Sequence, residues 1–412
     1  MRLFPTPTSW SRRKACLLRA SGVITGILLL TIAGTAPAQT SPAEALSRRI
    51  ADAALRQTSG SASAILLNGI DVEWYNTADG RYYRYLQSVV DAKPGSGTPP
   101  PELASQVLLL YRVTQKEAWY RSASLLDRQL LAAKRLTARQ AYTAEPFLAE
   151  YAAVFHRAGD FAIVAAQMQE ADRKPGLHNL ALRMMTLASA LPYFPKGAAG
   201  RAAGIDSFEQ LAAAAAHSQD PACGLWRDNL RRSSAGNSSP LNLPGSAMLT
   251  FSLARGVRLG LLPRRYLSVA ERAWQGILNR AAEQPANGDD LSAGALLLAA
   301  NEIELCPDAE MGLGSRVVVD GWYNSEKRKN AAGEMVLFHY KWDDYSNPGF
   351  SLLGHIFRSY GVTTDTLDTA PTMAKLRGAR FYMIVSPDIH VSHLSRKKHE
   401  LAVRAPVSAL FV

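Results

Sequence analysis

The stretch Pro244–Trp274 most restricts what this chain can become. It reads as two helices joined by a tight turn. In the first, Leu249, Leu253 and Val257 lie along one line of the helix surface, with Met248, Phe251 and Ala254 on others. Apolar groups go almost all the way round, the pattern of a helix buried on every side. In the second, Leu267, Ala270, Trp274 and Leu278 form one stripe, and Ser268, Glu271, Arg272, Gln275 and Asn279 face the other way. Gly260 suits the end of the first helix and Pro263 the opening of the second. A buried helix followed by a half-exposed one is one unit of a double-layered helical barrel, and equally of a plain helical hairpin.

An internal repeat extends the pattern. Trp74-Tyr75-Asn76-Thr77, with Tyr83 six residues beyond the threonine, recurs as Tyr111-Arg112-Val113-Thr114 with Tyr120 six beyond, a spacing of 37 residues. That is the length of a helix-turn-helix unit. The threonine falls at the turn, where its hydroxyl can hold a free N–H of the next helix. Helical periodicity over 42–58, 63–78, 81–92, 102–116, 118–134, 141–157, 160–172, 177–191, 206–218, 245–260, 264–282 and 290–303 predicts close to twelve helices. Such repeats suit an open solenoid or a closed toroid alike.

After about Cys306 the period changes. Arg316–Asp320 reads as a short buried strand, Met335 to Tyr340 as another, Gly349 to Tyr360 as a helix and Ala379 to Val385 as a strand, a βαβ start. Residues 390–412 show no strand or helix period that would continue the sheet, which predicts an irregular basic tail.

Met1 to Ala38 reads as a secretory signal: Arg12-Arg13-Lys14, an apolar run from Gly22 to Ile32, and Ala36-Pro37-Ala38 as cleavage site. The run is short for a membrane span, so the expectation is a periplasmic or secreted protein without a stable membrane anchor. The formal charge is +11, of which five units lie in those 38 residues, leaving +6 beyond them. That mild balance, with no concentrated basic face before the tail, argues against a nucleic-acid role. Cys223 and Cys306 remain after the leader, either as one disulfide or as two buried thiols. GxGxxG, P-loop, HExxH and GxSxG patterns are absent, so no cofactor is expected. His339 with Asp343 and Asp344 does not have a metal-ligand spacing.

The quoted helices also resemble a known family. SAMLTFSLARGVRLGLLPRRYLSVAERAW is similar to the late inner and outer helices of the unsaturated rhamnogalacturonyl hydrolases, glycoside hydrolase family 105 and its relative family 88. Leu66–Asp91, Leu108–Leu130, Ala144–Ala152 and Gln219–Trp226 agree in order, so the likeness covers most of 45–305. It implies an (α/α)6 barrel over 39–305, acting on unsaturated uronyl or rhamnogalacturonyl oligosaccharides of pectin. Residues 312–389 resemble the opening of a glutamine-amidotransferase-like module, a partial α/β segment.

The resemblance further implies two aspartates in a groove at one end of the barrel. One protonates the ring alkene of a 4,5-unsaturated uronic acid. Water then adds, and the hemiketal opens. Such chemistry needs a carboxyl group kept protonated near neutral pH beside a bound water. Here the motif positions carry other residues. Ala144-Glu145-Pro146-Phe147 fits the end of the second motif, but its aspartate position reads Arg139, and the first motif's Asp-Asn falls on Pro99-Pro100. The later Trp-Gly-Arg position falls on Gly176-Leu177-His178. An arginine cannot donate a proton at neutral pH. Glu145, read as a first-turn helix acid, and His178 are the candidate catalytic groups. Tyr142 and Trp226 are the candidate sugar-stacking groups. The opposing expectation is an inactive relative that binds glycan, or a helical interaction scaffold.

Overall fold

The repeated threonine turn sets the hairpin geometry. Thr77 donates its hydroxyl to the Glu73 carbonyl at 2.7 Å and accepts the Asp79 N–H at 3.2 Å; Thr114 does the same with Leu110 at 2.6 Å and Lys116 at 3.3 Å. The next residues, Ala78 and Gln115, take left-handed φ values of 56° and 57°. Each turn then folds an aromatic pair together, Trp74 on Tyr83 at 5.4 Å and Tyr111 on Tyr120 at 5.8 Å. Asp79 and Lys116 are the N-caps of the outgoing helices. One local sequence has thus made the same structure twice.

The computed structural model describes residues 41–386 apart from 57–61, 93–97, 171–174, 231–238, 284–288 and 348, together with 409–411. The expected leader and most of the tail lie outside the described residues. Twelve helices build the first part: α1 (Pro42–Arg56), α2 (Ala64–Thr77), α3 (Gly80–Asp91), α4 (Ala104–Thr114), α5 (Glu117–Leu131), α6 (Ala138–Val154), α7 (Asp160–Glu170), α8 (Leu177–Ala190), α9 (Arg201–Ser218), α10 (Leu243–Arg258), α11 (Leu267–Glu283) and α12 (Asp290–Leu305). The even-numbered helices form an inner ring, each packed on the next, and α12 returns to pack on α2. The odd-numbered helices form the outer layer. This is an (α/α)6 barrel.

The inner and outer characters follow from sequence. In α10 every residue from Gly245 to Ala254 is buried. On α11, Val269, Ala270, Ala273, Trp274 and Ile277 are buried, while Ser268, Glu271, Arg272, Gln275 and Asn279 are exposed. One continuous apolar core runs from Ala43 to Cys306. Its fully enclosed leucines, such as Leu67, Leu110 and Leu297, each contribute about 1.5–3 kcal/mol. At the seam Gly294 lets α12 approach α2 closely, since a Cβ there would sit 2.4 Å from the Leu66 nitrogen.

Helix α6 starts earlier than its apolar period implies. Thr137 and Gln140 form a capping box, each side chain accepting from the other's backbone N–H. Glu145 is therefore the eighth residue of the helix and not in its first turn. Cys223 and Cys306 are both free thiols.

Beyond the barrel, β1 (Arg316–Asp320), β4 (Thr363–Leu367), β5 (Ala379–Ile384) and β6 (Ala409–Phe411) form a parallel sheet in the order β4-β1-β5-β6. A hairpin of β2 (Lys327–Lys329) and β3 (Met335–Leu337), then α13 (Ser351–Ser359), lie between β1 and β4; α14 (Met373–Leu376) joins β4 to β5. Val318 packs to one side of the sheet with Tyr382 and Ile384, and Val317 and Val319 to the other with Trp342. Two expectations need correction. The strand after α13 is β4, whose TTDTL sequence is half-exposed and has no apolar run. And 409–411, expected to be irregular, add a fourth strand beside β5.

This segment seats on the barrel end where the inner helices finish. Tyr345 stacks on Tyr75 at 5.3 Å, and the Arg112 guanidinium lies 3.6 Å from the Tyr345 ring centre. The Tyr75 hydroxyl donates to the Ser351 carbonyl, and His355 Nε2 meets Asn76 Oδ1 at 2.6 Å.

Candidate active site

The other end of the barrel is where the inner helices begin, and the described α/β segment leaves it open. Arg139 and His178 stand exposed there, on the first turns of α6 and α8. Surrounding protein, and then the Arg139 charge, hold the His178 imidazole below the usual histidine value, so it is neutral at pH 7.

A cleft of about 660 Å³ opens at the N-terminus of α8, bounded by Gly176, Leu180, Arg183, Asp228, Asn229 and Ser239 among others. Asp228, Asn229, Leu230 and Ser239 give it one wall, and the segment Gln219–Trp226 leads into that wall. Gln219 Nε2 donates to the carbonyls of Gly224 and Val269. Asp220 accepts from the backbone N–H groups of Ala222 and Cys223 and from Arg227 Nε. Burial works against the Asp220 charge, yet these donors outweigh it and keep its carboxyl below the usual range. Arg227 NH1 donates to the Ser239 carbonyl, tying the two strands of the loop, and Asn242 Nδ2 donates to Asp228 Oδ1 at 2.6 Å. Asp228 is thereby fixed at the cleft while remaining exposed.

The four sequence-predicted residues fall in four different places. Trp226 is fully buried, and its indole N–H donates to the Ala215 carbonyl at 2.8 Å, so it braces the wall and offers no face to a sugar. Tyr142 is 3% exposed; its hydroxyl accepts from Asn68 Nδ2, and Gln106 Nε2 donates to Asn68 Oδ1. It closes the bore between α2, α4 and α6 and is not a stacking platform either. Glu145 points between the layers. It lines a slit with Met168 of α7, Arg183 and Thr186 of α8 and Ser207 of α9, whose free space is about 10 Å³. That holds at most about one water, never a sugar ring. Burial pushes the Glu145 carboxyl up to about 8, with the Arg183 charge opposing. Of the four candidates, then, only His178 stands at the open end. The likeness-derived expectation of acids at 99–100 and 139 is not met by those residues.

Sequence reasoning missed Arg183 and Asp228. Arg183 is the one Lys, Arg, Asp or Glu side chain of inner helix α8, which was a readable signal. Asp228 follows the Gly224-Leu225-Trp226 run directly, and only the folded loop shows that it lines the cleft.

The bore itself is polar towards its covered end. Burial, then the like charge of Glu150, raise the Asp71 carboxyl to about 7, with Arg112 acting against them. Arg112 pairs with Glu150. Glu302, fully buried, takes Arg255 NH1 at 2.6 Å and Arg258 Nε at 2.7 Å. Burial opposes its charge, but the two guanidiniums bring its carboxyl down to about 2. His339 pairs with Glu326 and Asp344 accepts from Ser346, and among the described residues no three potential metal ligands converge.

Comparison with known proteins fits this geometry. Residues 182–295 match the model of Glycosyl Hydrolase Family 88, a span that includes Arg183, Asp228 and the inner helix α10. The barrel has the fold of solved family 88 and 105 glycoside hydrolases. Solved structures of the same fold include a Family 105 glycoside hydrolase of C. acetobutylicum, with TM-score 0.55, 18% identity, and coverage of 63% of this chain and 99% of that one. A family 88 glycosyl hydrolase from Bacteroides vulgatus gives 0.53, 15%, 64% and 99%. A possible GH105 member from Salmonella enterica serovar Paratyphi A gives 0.55, 12%, 67% and 99%. No curated protein matches the sequence.

Proposed function

We propose that the chain hydrolyses unsaturated uronyl residues from acidic oligosaccharides of the pectin type, using the cleft at the start of α8. The observation that carries this reading is one cleft, in a family 88/105-type scaffold, that presents both a guanidinium and a carboxyl to a sugar-sized space. Arg183 is suited to the uronate carboxylate. Glu145 beside it stays protonated at neutral pH, so the Glu145–Arg183 pair keeps a net positive charge for an anion. Asp228 is the carboxyl that reaches the sugar. In this reading it draws a proton from the attacking water while the ring alkene takes one from solvent, and the resulting hemiketal opens and releases the neighbouring sugar.

The assay is loss of the ring-alkene absorbance when purified protein meets an unsaturated rhamnogalacturonan disaccharide. Wild-type protein consumes it, and Asp228→Asn lowers the rate by roughly 10²-fold or more at unchanged melting temperature. Folded wild-type protein that binds the disaccharide without consuming it would instead be a glycan-binding relative, the reading favoured by Arg139 and Pro99 at the motif positions. We further read the chain as exported, on the leader-like Met1–Ala38. Recovery of uncleaved protein in the cytoplasm would refute that.

A further inference from the structure

The covered end of the barrel carries a second cleft, of about 810 Å³, between the ends of α4 and α6 and the α/β segment. Three buried polar atoms on its lining residues have no hydrogen-bond partner: Lys341 Nζ, Arg328 Nε and Asp344 Oδ2. Lys341 is only 6% exposed. Its nearest carboxylate oxygen, on Asp368, is 3.9 Å away, and Arg328 NH2 is likewise 3.9 Å from Asp344 Oδ1. A buried ammonium without a hydrogen bond is costly, and natural structures seldom leave one.

The sheet places these groups where open α/β sheets bind ligands. From β1 the chain goes to β4 on one side, then returns to β5 on the other, so the strand order reverses at β1. Ligands of such sheets sit outside the carboxyl ends of the strands at the reversal. Gly321 follows β1 there, and Asp368 follows β4. A Cβ at Gly321 would fall 2.8 Å from Lys341 Nζ and 2.1 Å from Asp368 Oδ1, so any side chain would fill the crevice.

The unmet groups are two cationic donors and one carboxylate acceptor. An inorganic anion would satisfy the donors but face the Asp344 oxygen with like charge. A neutral sugar would satisfy Asp344 and leave Lys341 unmet. A molecule with one carboxylate and several hydroxyls answers all three, and the Tyr111, Phe155 and Tyr193 side chains on the barrel side give its ring an apolar wall. We propose that this cleft is a binding site for a sugar acid, with the carboxylate on Lys341 and Arg328 and a hydroxyl on Asp344. The site lies at the opposite end of the barrel from the α8 cleft and does not depend on the reading of that cleft.

The test is isothermal calorimetry on the full chain with D-galacturonate, D-galactose and inorganic phosphate. It is run in an Arg183→Gln background, which removes the cation of the α8 cleft. Galacturonate binds, with galactose and phosphate each weaker by roughly tenfold or more. Adding Lys341→Met abolishes the galacturonate heat while the melting transition persists; Arg328→Gln is the second variant should Lys341→Met fail to fold. No galacturonate binding in the Arg183→Gln protein, equal binding of galactose or phosphate, or binding that survives the cleft variants would each overturn the proposal.

Discussion

The two ends of the barrel are built on opposite principles. Where the inner helices finish, charge is buried and matched: Glu302 between Arg255 and Arg258, Glu150 on Arg112, and Tyr345 over both Arg112 and Tyr75. Where they begin, the polar groups are exposed, with the Arg139 charge on α6, the neutral His178 on α8 and Asp228 held by a loop. The buried end holds the ring together. The open end is free to vary in chemistry because the fold does not depend on it, which is how a barrel can keep its scaffold while Pro99, Arg139 and Gly176 occupy motif positions.

The largest test of that contrast is Glu302→Gln. It leaves two guanidiniums without a counter-charge in the core, and a loss of about 3–5 kcal/mol is expected by urea unfolding. A loss under about 1 kcal/mol would mean that the matched charges do not hold the ring.

Glu145→Gln comes next and has the opposite sign. Its folded value of about 8 lies above the ordinary glutamate value of 4.5, so the folded state binds the proton more tightly than the unfolded one. Stability from this group is therefore full below about pH 4.5 and is lost as pH rises through about 8. The glutamine variant should match wild type at pH 4.5 and exceed it by roughly 2–4 kcal/mol at pH 9. Parallel stability–pH curves for the two proteins would show that the slit is wet enough to ionise the carboxyl. The smallest effect belongs to the open end: His178→Ala should shift stability by less than about 0.5 kcal/mol.

The barrel was legible in the sequence because its rules are local. The all-round apolar surface of α10, the single stripe of α11 and the duplicated threonine turn each involve neighbours within a few residues. The start of α6 was legible too, in Thr137 and Gln140, but the apolar period drew attention further along. The site was harder. On α6, where nearly every residue is buried, periodicity cannot separate the side facing the bore, where Tyr142 lies, from the side facing α7 and α9, where Glu145 lies. Trp226 read as a surface aromatic because its partner, the Ala215 carbonyl, is contributed by the end of another helix. β4 escaped notice because TTDTL has the composition of a loop and becomes a strand only beside β1.

The seam between α12 and α2 has a consequence for how the protein is made. Asn301 reaches back to Glu73 at 2.9 Å, across 228 positions of chain. On a ribosome that emits about 5–20 residues per second, α2 waits tens of seconds or so for its neighbour. During that interval Leu66, Leu67 and Ile70 have no permanent cover. A barrel of this kind places its heaviest demand on chaperones early in synthesis, and a nascent chain stalled before α12 should be the form most prone to aggregate.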